Sequence, residues 1–215
     1  MLMNQVELLR KFQKYILSEK FKPGNKLPGE LQLAEIFNVS RGTIREIIIH
    51  LSLLGILERS TKRGTFVRKA TYADVGQTLN FQLQTIGCSF EEMKATRLML
   101  ETAQVKLLIQ YATPVKLEEL KMLNEKMSHH EAAPDEAERL DLNFHLALLE
   151  ISGNRILQVL GQVLVLMFEK KYRGKFRTPE AIRTSVNNHW KILDAIEKKD
   201  AVSLKKLISE HINPL

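Results

Sequence analysis

Residues 27–67 constrain the fold of this chain most, because they carry the sequence signals of two helices joined by a tight turn. We predict that the first helix begins at Pro28, since the fixed backbone angle of proline suits a first helical position. This helix ends before Asn38, a residue type that tolerates a left-handed turn. The second helix begins after Ser40, a favoured N-cap, and ends near Gly55, where a C-terminal cap is expected. This order predicts a helix-turn-helix.

A basic hairpin follows the second helix. Residues 56–59 and 65–68 are short alternating runs on either side of a turn, which is typical of two paired strands. A helix-turn-helix followed by such a hairpin is a winged DNA reader, whose second helix places the side chains of its first turns at base edges and phosphates. The hairpin tip lies along the DNA backbone or in the minor groove. The candidate DNA-contacting residues are Arg41, Thr43 and Arg45 on the helix and Lys62, Arg63 and Gly64 at the tip.

Charge distinguishes this interpretation from a helical hairpin with a solvated basic loop. Residues 1–69 hold 13 Lys and Arg against 6 Asp and Glu, a net charge of +7, and the rest of the chain holds 19 of each sign. The whole positive surplus therefore lies on the candidate reader. Because neutralised phosphates release counterions and so drive association, this asymmetry predicts nucleic-acid binding.

Across residues 6–68 the sequence resembles the GntR family of bacterial transcription regulators. The resemblance rests on FKPGNKLP at 21–28, ELQLA at 30–34, VSRGTIRE at 39–46 and RGTFV at 63–67. It implies that Ser40, Arg41, Thr43 and Arg45 contact the operator, and that Lys62, Arg63 and Gly64 enter the minor groove. Members often have an arginine directly after the glutamate that corresponds to Glu30, whereas this chain has Leu31. One usual DNA contact is thus missing, and the operator preference is expected to differ.

Length and composition predict a soluble, cytoplasmic protein of two domains. The chain has 215 residues, of which 44% are apolar, and this suffices for ordinary hydrophobic cores. It contains no run of about 18 apolar residues, and its N-terminus has no cationic region followed by an apolar stretch. We therefore expect neither a membrane span nor export. Cys88 is the single cysteine, which excludes an internal disulfide, and we interpret it as incidental.

The second half of the chain is predicted to be an all-α bundle. Glycines, prolines and Asp200 divide it into segments with helical periodicity, and short connections make sequential helices antiparallel neighbours. The candidate helices are 74–85, 90–112, 114–129, 134–151, 154–173, 178–198 and 200–212. The predicted fold is thus mainly α, with a winged helix-turn-helix at 1–69, a linker at 70–77 and a helical domain at 78–215.

Three histidines and one aspartate of this helical region can converge. Asp141 and His145 are four residues apart and share a helical face. His189 precedes Asp200 by eleven residues and His211 follows it by eleven, so a reversal near Asp200 brings the two imidazoles to one level, about 16 Å from the turn. This donor set suits Zn, Ni, Mn or Fe(II), with open positions for water or a ligand carboxylate. The spacing alone leaves the metal site and a set of hydrogen-bonded core residues equally open.

The run DLNFHLALLEISGN at 141–154 resembles the FCD domain, which follows the DNA reader in one GntR subfamily. In many of its members an aspartate, the histidine four residues later and two histidines near the C-terminus ligate a divalent metal. The resemblance therefore implies one metal ion per chain, held by Asp141, His145, His189 and His211. It also implies a cavity for an organic acid.

Two residues are assigned to that acid by resemblance. Arg97, in the phrase RLMLE, corresponds to the arginine that meets an organic-acid effector, and Asn154 corresponds to a polar neighbour of the pocket. For Arg97 the residues themselves offer an alternative, a surface ion pair with Glu101 four positions later.

Two classes of function fit these observations. The first is a transcription regulator that binds a pseudo-palindromic operator as a homodimer and responds to a small carboxylate effector through its metal-containing domain. The second is a metal-dependent helical enzyme that the basic half localises to DNA. The sequence lacks the Glu-x-x-His pairs of di-iron bundles, the HExxH and GxSxG motifs, and a glycine-rich phosphate loop, so we expect no enzyme. A metal-free regulator with a lipid-like effector remains if the histidines are core residues.

Overall fold

A computed structural model of the chain describes residues 4–18, 20–162, 164 and 178–213. The chain divides into two compact units, Met1–Val75 and Gly76–Leu215. Each unit has hydrophobic clusters of its own.

The first unit contains three helices. Helix α1 (Gln5–Ile16) is capped by Asn4, and α2 (Glu30–Phe37) is followed by α3 (Arg41–Leu53). Apolar side chains of all three helices form one core, with Phe12, Leu33 and Ile44 fully buried. A three-helix core of this kind fixes the angle between α2 and α3 by packing.

The structure confirms the predicted ends of both helices of the helix-turn-helix, but the first helix begins later than predicted. Asn38 has φ 52° and ends α2 in the left-handed region, and Gly55, with φ 70°, lies just beyond the end of α3. Helix α2 begins at Glu30 instead of Pro28, because Gly29 is still extended and serves as the N-cap. The Gln32 side chain accepts a hydrogen bond from the Gly29 N–H at 3.2 Å, which fixes the start of the helix two residues later than the proline indicated.

The wing is a two-stranded antiparallel hairpin. Strand β1 (Leu57–Ser60) pairs with β2 (Gly64–Val67), and Leu57 and Val67 at its base are buried. Each strand begins one residue away from the predicted run. The turn between them therefore contains residues 61–63.

The second unit consists of helices. In chain order they are α4 (Tyr72–Ile86), α5 (Phe90–Ala103), α6 (Val105–Tyr111), α7 (Pro114–Ser128), α8 (Pro134–Ile151), α9 (Arg155–Gly161), α10 (Pro179–Glu197) and α11 (Ala201–Ile212). The predicted helix 90–112 is divided at Gln104, which ends α5 and precedes α6. The part of the predicted helix 154–173 that follows residue 164 lies outside the described residues.

The main core of this unit lies between α5, α6, α7, α8, α10 and α11. Leu108, Leu120, Leu148, Ile192 and Leu204 are all fully buried in it. Such packing fixes the rotation of each helix, so the polar residues that point into the same interior have defined partners.

Among the described residues, no helix has both the length and the apolar character needed to cross a bilayer.

Candidate functional site

The start of α3 is organised around Ser40. Its Oγ accepts a hydrogen bond from the Thr43 N–H at 3.1 Å and lies 2.8 Å from the Thr43 hydroxyl oxygen. Ser40 is the N-cap of α3 and Thr43 lies in its first turn, so both hydroxyls are at the helix N-terminus. Ser40 is exposed and Thr43 is half-buried. Unpaired N–H groups at this end of a helix favour phosphate, which agrees with a DNA-facing position.

Both arginines of α3 pair with one carboxylate. Arg41 Nε donates to Glu30 at 2.9 Å, and Arg45 donates to Glu30 from Nε at 3.2 Å and from Nη2 at 3.1 Å. The hydrogen bonds from Arg45 and Arg41 lower the pKa of Glu30. The two arginine side chains remain 57% and 52% exposed. Glu30 thus holds two exposed guanidinium groups beside one another without covering them.

The wing tip presents further positive charge. Lys62 and Arg63 are exposed, and the Arg63 guanidinium lies over the ring of Phe66 at 6.0 Å. Gly64 has φ 99°, a backbone conformation that favours glycine, and a Cβ there would lie 2.8 Å from Cε of Lys26. Glycine is therefore favoured at the first residue of β2, where the chain leaves the turn.

One open cleft of about 660 Å³ connects these parts. Arg41 and Arg45 of α3 line it together with Lys26 and with Arg59 and Thr65 of the wing. The positively charged side chains that the sequence indicated on α3 thus share a concave surface with the wing.

The histidines and the aspartate form a buried cluster in the second unit. Asp141 and His145 come from α8, His189 from α10 and His211 from α11, and one ligand atom of each lies within 4.8 Å of the others. The His211 Nε2 atom is 3.0 Å from His145 Nε2 and 3.3 Å from His189 Nε2. Asp141 Oδ1 lies 3.3 Å from His189 Nε2, 3.8 Å from His145 Nε2 and 4.0 Å from His211 Nε2.

Hydrogen bonds from other helices orient two of the imidazoles. The His145 Nδ1–H donates to Glu101 of α5 at 2.8 Å. Asn124 of α7 donates from Nδ2 to the Val186 carbonyl at 3.0 Å, so its Oδ1 is the atom that accepts from His189 Nδ1–H, also at 3.0 Å. In the neutral imidazoles the lone pairs of both Nε2 atoms then point into the cluster.

The remaining contacts hold the aspartate and one ring in place. The Ser185 hydroxyl donates to Asp141 Oδ1 at 3.0 Å. The ring of Phe144 stacks on His189 with centroids 3.9 Å apart and an interplanar angle of 9°. Asp141, His145 and His189 are therefore held in place by neighbouring side chains.

Electrostatics favour a neutral His145 and an ionised Glu101. Burial, followed by the charge of Arg97, lowers the pKa of His145. Burial raises the pKa of Glu101, but the interactions with His145 and Arg97 outweigh it and hold the pKa at about 2. A neutral imidazole beside an ionised carboxylate is the protonation state in which histidine ligates a metal.

The donor set fits a divalent metal ion. With metal–ligand bonds of about 2.1 Å and angles between 90° and 109°, neighbouring ligand atoms are about 3.0 to 3.4 Å apart. The shortest distances in the cluster, 3.0 and 3.3 Å, lie in this range. Two Nε2 lone pairs also face His211 Nε2, which can donate at most one proton to them, so a cation at the centre satisfies all three nitrogens at once.

Arg97 is buried, in contrast to the surface ion pair that its spacing from Glu101 suggested. Its Nε donates to Glu101 Oε1 at 2.8 Å, and the two side chains are 4% and 0% exposed. Its Nη2 is buried and has no hydrogen-bond partner among the described residues. A buried guanidinium N–H without an acceptor is costly, which favours an anionic ligand beside it.

Asn154 has a different environment. It is exposed, and its Oδ1 accepts hydrogen bonds from the Ile156 and Leu157 N–H groups at 3.0 and 3.3 Å as the N-cap of α9. Its proposed effector contact stays a prediction that none of its hydrogen bonds supports.

Sequence reasoning missed the groups that orient the ligands: Glu101, Asn124 and Ser185. A signal existed for Asn124, because it continues the buried series Leu117, Leu120, Asn124 and Met127 on α7. A polar residue at an apolar position of a helix indicates a specific buried partner.

The two units together define a class of protein. One unit carries a winged helix-turn-helix with exposed arginines, and the other carries a buried cluster of potential ligands inside a helical bundle. Such a combination is typical of a DNA-binding regulator with a separate ligand-binding domain.

Comparison with known families identifies the particular family. The family described as "Bacterial regulatory proteins, gntR family" matches residues 5–67, and the FCD domain matches residues 92–214. The chain therefore belongs to the GntR family of transcription regulators, in the group with an FCD domain. It is a DNA-binding regulator and not an enzyme.

Individual relatives are similar to this chain over nearly its whole length. The HTH-type transcriptional regulator LutR of Bacillus subtilis (strain 168) is 26% identical over 202 residues, which cover 92% of this chain and 92% of LutR. The HTH-type transcriptional repressor NanR of Enterobacter sp. (strain 638) is 26% identical over 209 residues, covering 94% and 79%. The solved structure of Streptococcus agalactiae GntR matches with a TM-score of 0.63 and 25% identity, covering 97% of each chain.

Proposed function

We propose that this regulator binds a pseudo-palindromic operator as a homodimer, and that a small organic acid bound beside a divalent metal ion controls this binding. The observation that carries the proposal is the convergence of Asp141 Oδ1 and three imidazole Nε2 atoms inside the helical unit. Metal and effector would then occupy one buried site, in a unit separate from the DNA reader.

The metal part is supported by the chemistry of the donor set. Three neutral imidazoles and one carboxylate suit Zn, Ni, Mn or Fe(II), and a cation with more than four positions keeps some open for water or a ligand oxygen. Asp141, His145, His189 and His211 would hold the ion. When bound, the ion would polarise and anchor an oxygen of the ligand.

The acid part is supported by Arg97. A guanidinium pairs with carboxylates through parallel N–H groups, and Nη2 of Arg97 is buried with no acceptor among the described residues. A bound acid would therefore find two positive groups inside the helical bundle, the metal ion and Arg97. An acid bound across several helices can change how the bundle presents two DNA readers, which would couple the acid to the operator.

Operator binding in the presence of metal and acids tests the proposal. The operator is first selected from random duplex DNA, and affinity is measured by fluorescence anisotropy at fixed salt while small carboxylic acids are added to the Zn²⁺-loaded protein. We expect at least one acid to change the affinity several-fold in wild type but not in His189→Ala, although both proteins bind the operator equally before acid is added.

Two outcomes would contradict it. If no acid changes operator affinity with Zn²⁺, Ni²⁺ or Mn²⁺ loaded, the effector part is wrong. A fatty acid that changes operator affinity equally with and without a chelator would favour the metal-free regulator with a lipid-like effector.

A further inference from the structure

Glu101 lies between the metal cluster and Arg97. Its two carboxylate oxygens have different partners: Oε2 accepts from His145 Nδ1–H and Oε1 accepts from Arg97 Nε, both at 2.8 Å. Glu101 and His145 are each 0% exposed. We propose that Glu101 is a positioning residue of the metal site, one that orients His145 and strengthens it as a ligand while it holds Arg97 in place. This inference rests on the proposed metal site.

The hydrogen bond to Nδ1 decides which nitrogen of His145 faces the cluster. Since Nδ1 carries the proton, the lone pair of the neutral ring is on Nε2, 3.0 Å from His211 Nε2. A carboxylate acceptor also raises the basicity of the imidazole, and partners of this kind commonly contribute about 10–100-fold to metal affinity. Asn124 fixes the tautomer of His189 in the same way but adds no charge.

Arg97 makes it possible to keep this charge in the interior. An isolated carboxylate in an apolar core would take up a proton, whereas an adjacent guanidinium stabilises its ionised form. With Nε occupied by Glu101, Arg97 keeps Nη2 for another acceptor. One carboxylate therefore positions both a metal ligand and the residue that we assign to the acid.

The same contacts are also compatible with a purely structural role, in which the ion pair Arg97–Glu101 within α5 ties this helix to α8 through the hydrogen bond to His145. A structural role predicts lower stability after removal of Glu101 but an unchanged affinity of the folded protein for metal. A positioning role predicts weaker metal binding even where the apo protein is equally stable.

The test is a titration of the full chain with Co²⁺ alone, whose visible absorption reports both affinity and coordination. Glu101→Gln keeps the shape of the side chain but removes its charge. We expect Co²⁺ affinity to fall about 10–100-fold and the absorption spectrum to change. Glu197→Gln is the matched control, because Glu197 lies on the same helix as His189 and pairs with the part-exposed Lys121 at 2.7 Å. Its Co²⁺ affinity should equal that of wild type.

Thermal unfolding of each apo protein shows whether the variants fold. If Glu101→Gln does not fold, the double variant Arg97→Gln, Glu101→Gln removes both charges of the buried pair together and should fold, with the same loss of Co²⁺ affinity. A folded variant lacking the Glu101 carboxylate that binds Co²⁺ within about twofold of wild type, with the same spectrum, would overturn the inference and leave the metal site intact. A wild-type protein that binds no Co²⁺ would overturn both.

Discussion

Single residues determine how the recognition helix presents its charge. Glu30 holds Arg41 and Arg45 together through three hydrogen bonds, and both arginines stay about half exposed. The two arginines are thus already ordered in the DNA-free protein. Less side-chain entropy is then lost when the protein binds DNA.

We expect Arg45→Ala to weaken binding to the selected operator by about 1 to 3 kcal/mol if the guanidinium contacts a base. Arg63→Ala at the wing tip should weaken operator and random DNA alike, since a backbone contact carries no sequence information. Arg183→Ala is the control, because Arg183 is a half-exposed arginine of the other unit that pairs with Glu131 and Glu180. Unchanged operator affinity in Arg45→Ala and Arg63→Ala at fixed salt would rule out these assignments.

A separate prediction concerns Glu30. Glu30→Gln removes a negative charge from the cleft and releases both arginines, so affinity for random DNA should rise several-fold while the ratio of operator to random affinity falls. Competition binding with the two DNAs at the same salt measures both effects. Glu131→Gln in the second unit should change neither quantity, and an unaltered ratio in Glu30→Gln would show that Glu30 does not position the arginines.

The residues of the cluster differ in how far the sequence could predict them. The four-residue spacing of Asp141 and His145 and the equal distances of His189 and His211 from Asp200 predicted their meeting, because helix geometry fixes both relations. Glu101 and Asn124 meet their histidines across 44 and 65 residues of chain. Such contacts depend on how packing rotates each helix, which no local pattern encodes.

At the level of elements, signals of glycine, proline and capping residues predicted most helix ends. Helix α8 has the predicted bounds, 134–151, and α10 and α11 lie within one residue of theirs. The break at Gln104 was missed because neither proline nor glycine marks it. Gln104 is fully buried, and its neighbours Val105 and Leu108 pack in the main core, so tertiary packing sets the break.

The turn between α10 and α11 contains a strained residue. Lys199 has φ 56°, a left-handed conformation that favours glycine at this position after a helix. We expect Lys199→Gly to raise the free energy of unfolding of the apo protein by about 0.5 to 1 kcal/mol. Chemical denaturation followed by the fluorescence of Trp190, the single tryptophan, measures this free energy. Trp190 lies in the same compact unit as Lys199.

Lys198→Gly provides the contrast. Lys198 has φ −75°, a right-handed helical conformation, so glycine there adds flexibility without relieving strain, and it also removes the exposed ion pair with Asp194. This substitution should lower the free energy of unfolding by about 0.5 to 1 kcal/mol. Equal effects of the two substitutions would show that Lys199 is not strained.

At the level of the whole molecule, the positive surplus lies in the DNA-binding part of the chain and the FCD part is close to neutral. The family match at residues 5–67 covers the segment with the positive surplus, and the FCD match covers most of the neutral remainder. The boundaries 1–69, 70–77 and 78–215 stay a prediction. Helix α4 begins at Tyr72, within the segment that its polar composition suggested as a linker.

We predict that two copies of the chain form a homodimer. One winged helix reads too few base pairs for useful specificity in a genome, so two copies should bind two half-sites related by a twofold axis. Analytical ultracentrifugation at micromolar concentration should give a dimer, and the selected operator should be a pseudo-palindrome. A monomer both in free solution and on DNA would contradict this.

The metal content of the purified protein shows whether Asp141 and the three histidines hold an ion. The full chain is incubated with Zn²⁺, Ni²⁺ or Mn²⁺, desalted without chelator and analysed by inductively coupled plasma mass spectrometry. We expect about one equivalent per chain in wild type and far less in His189→Ala, with both proteins folded. Far less than one equivalent of every metal in folded wild-type protein would contradict it and leave Asp141 and the three histidines as a hydrogen-bonded core.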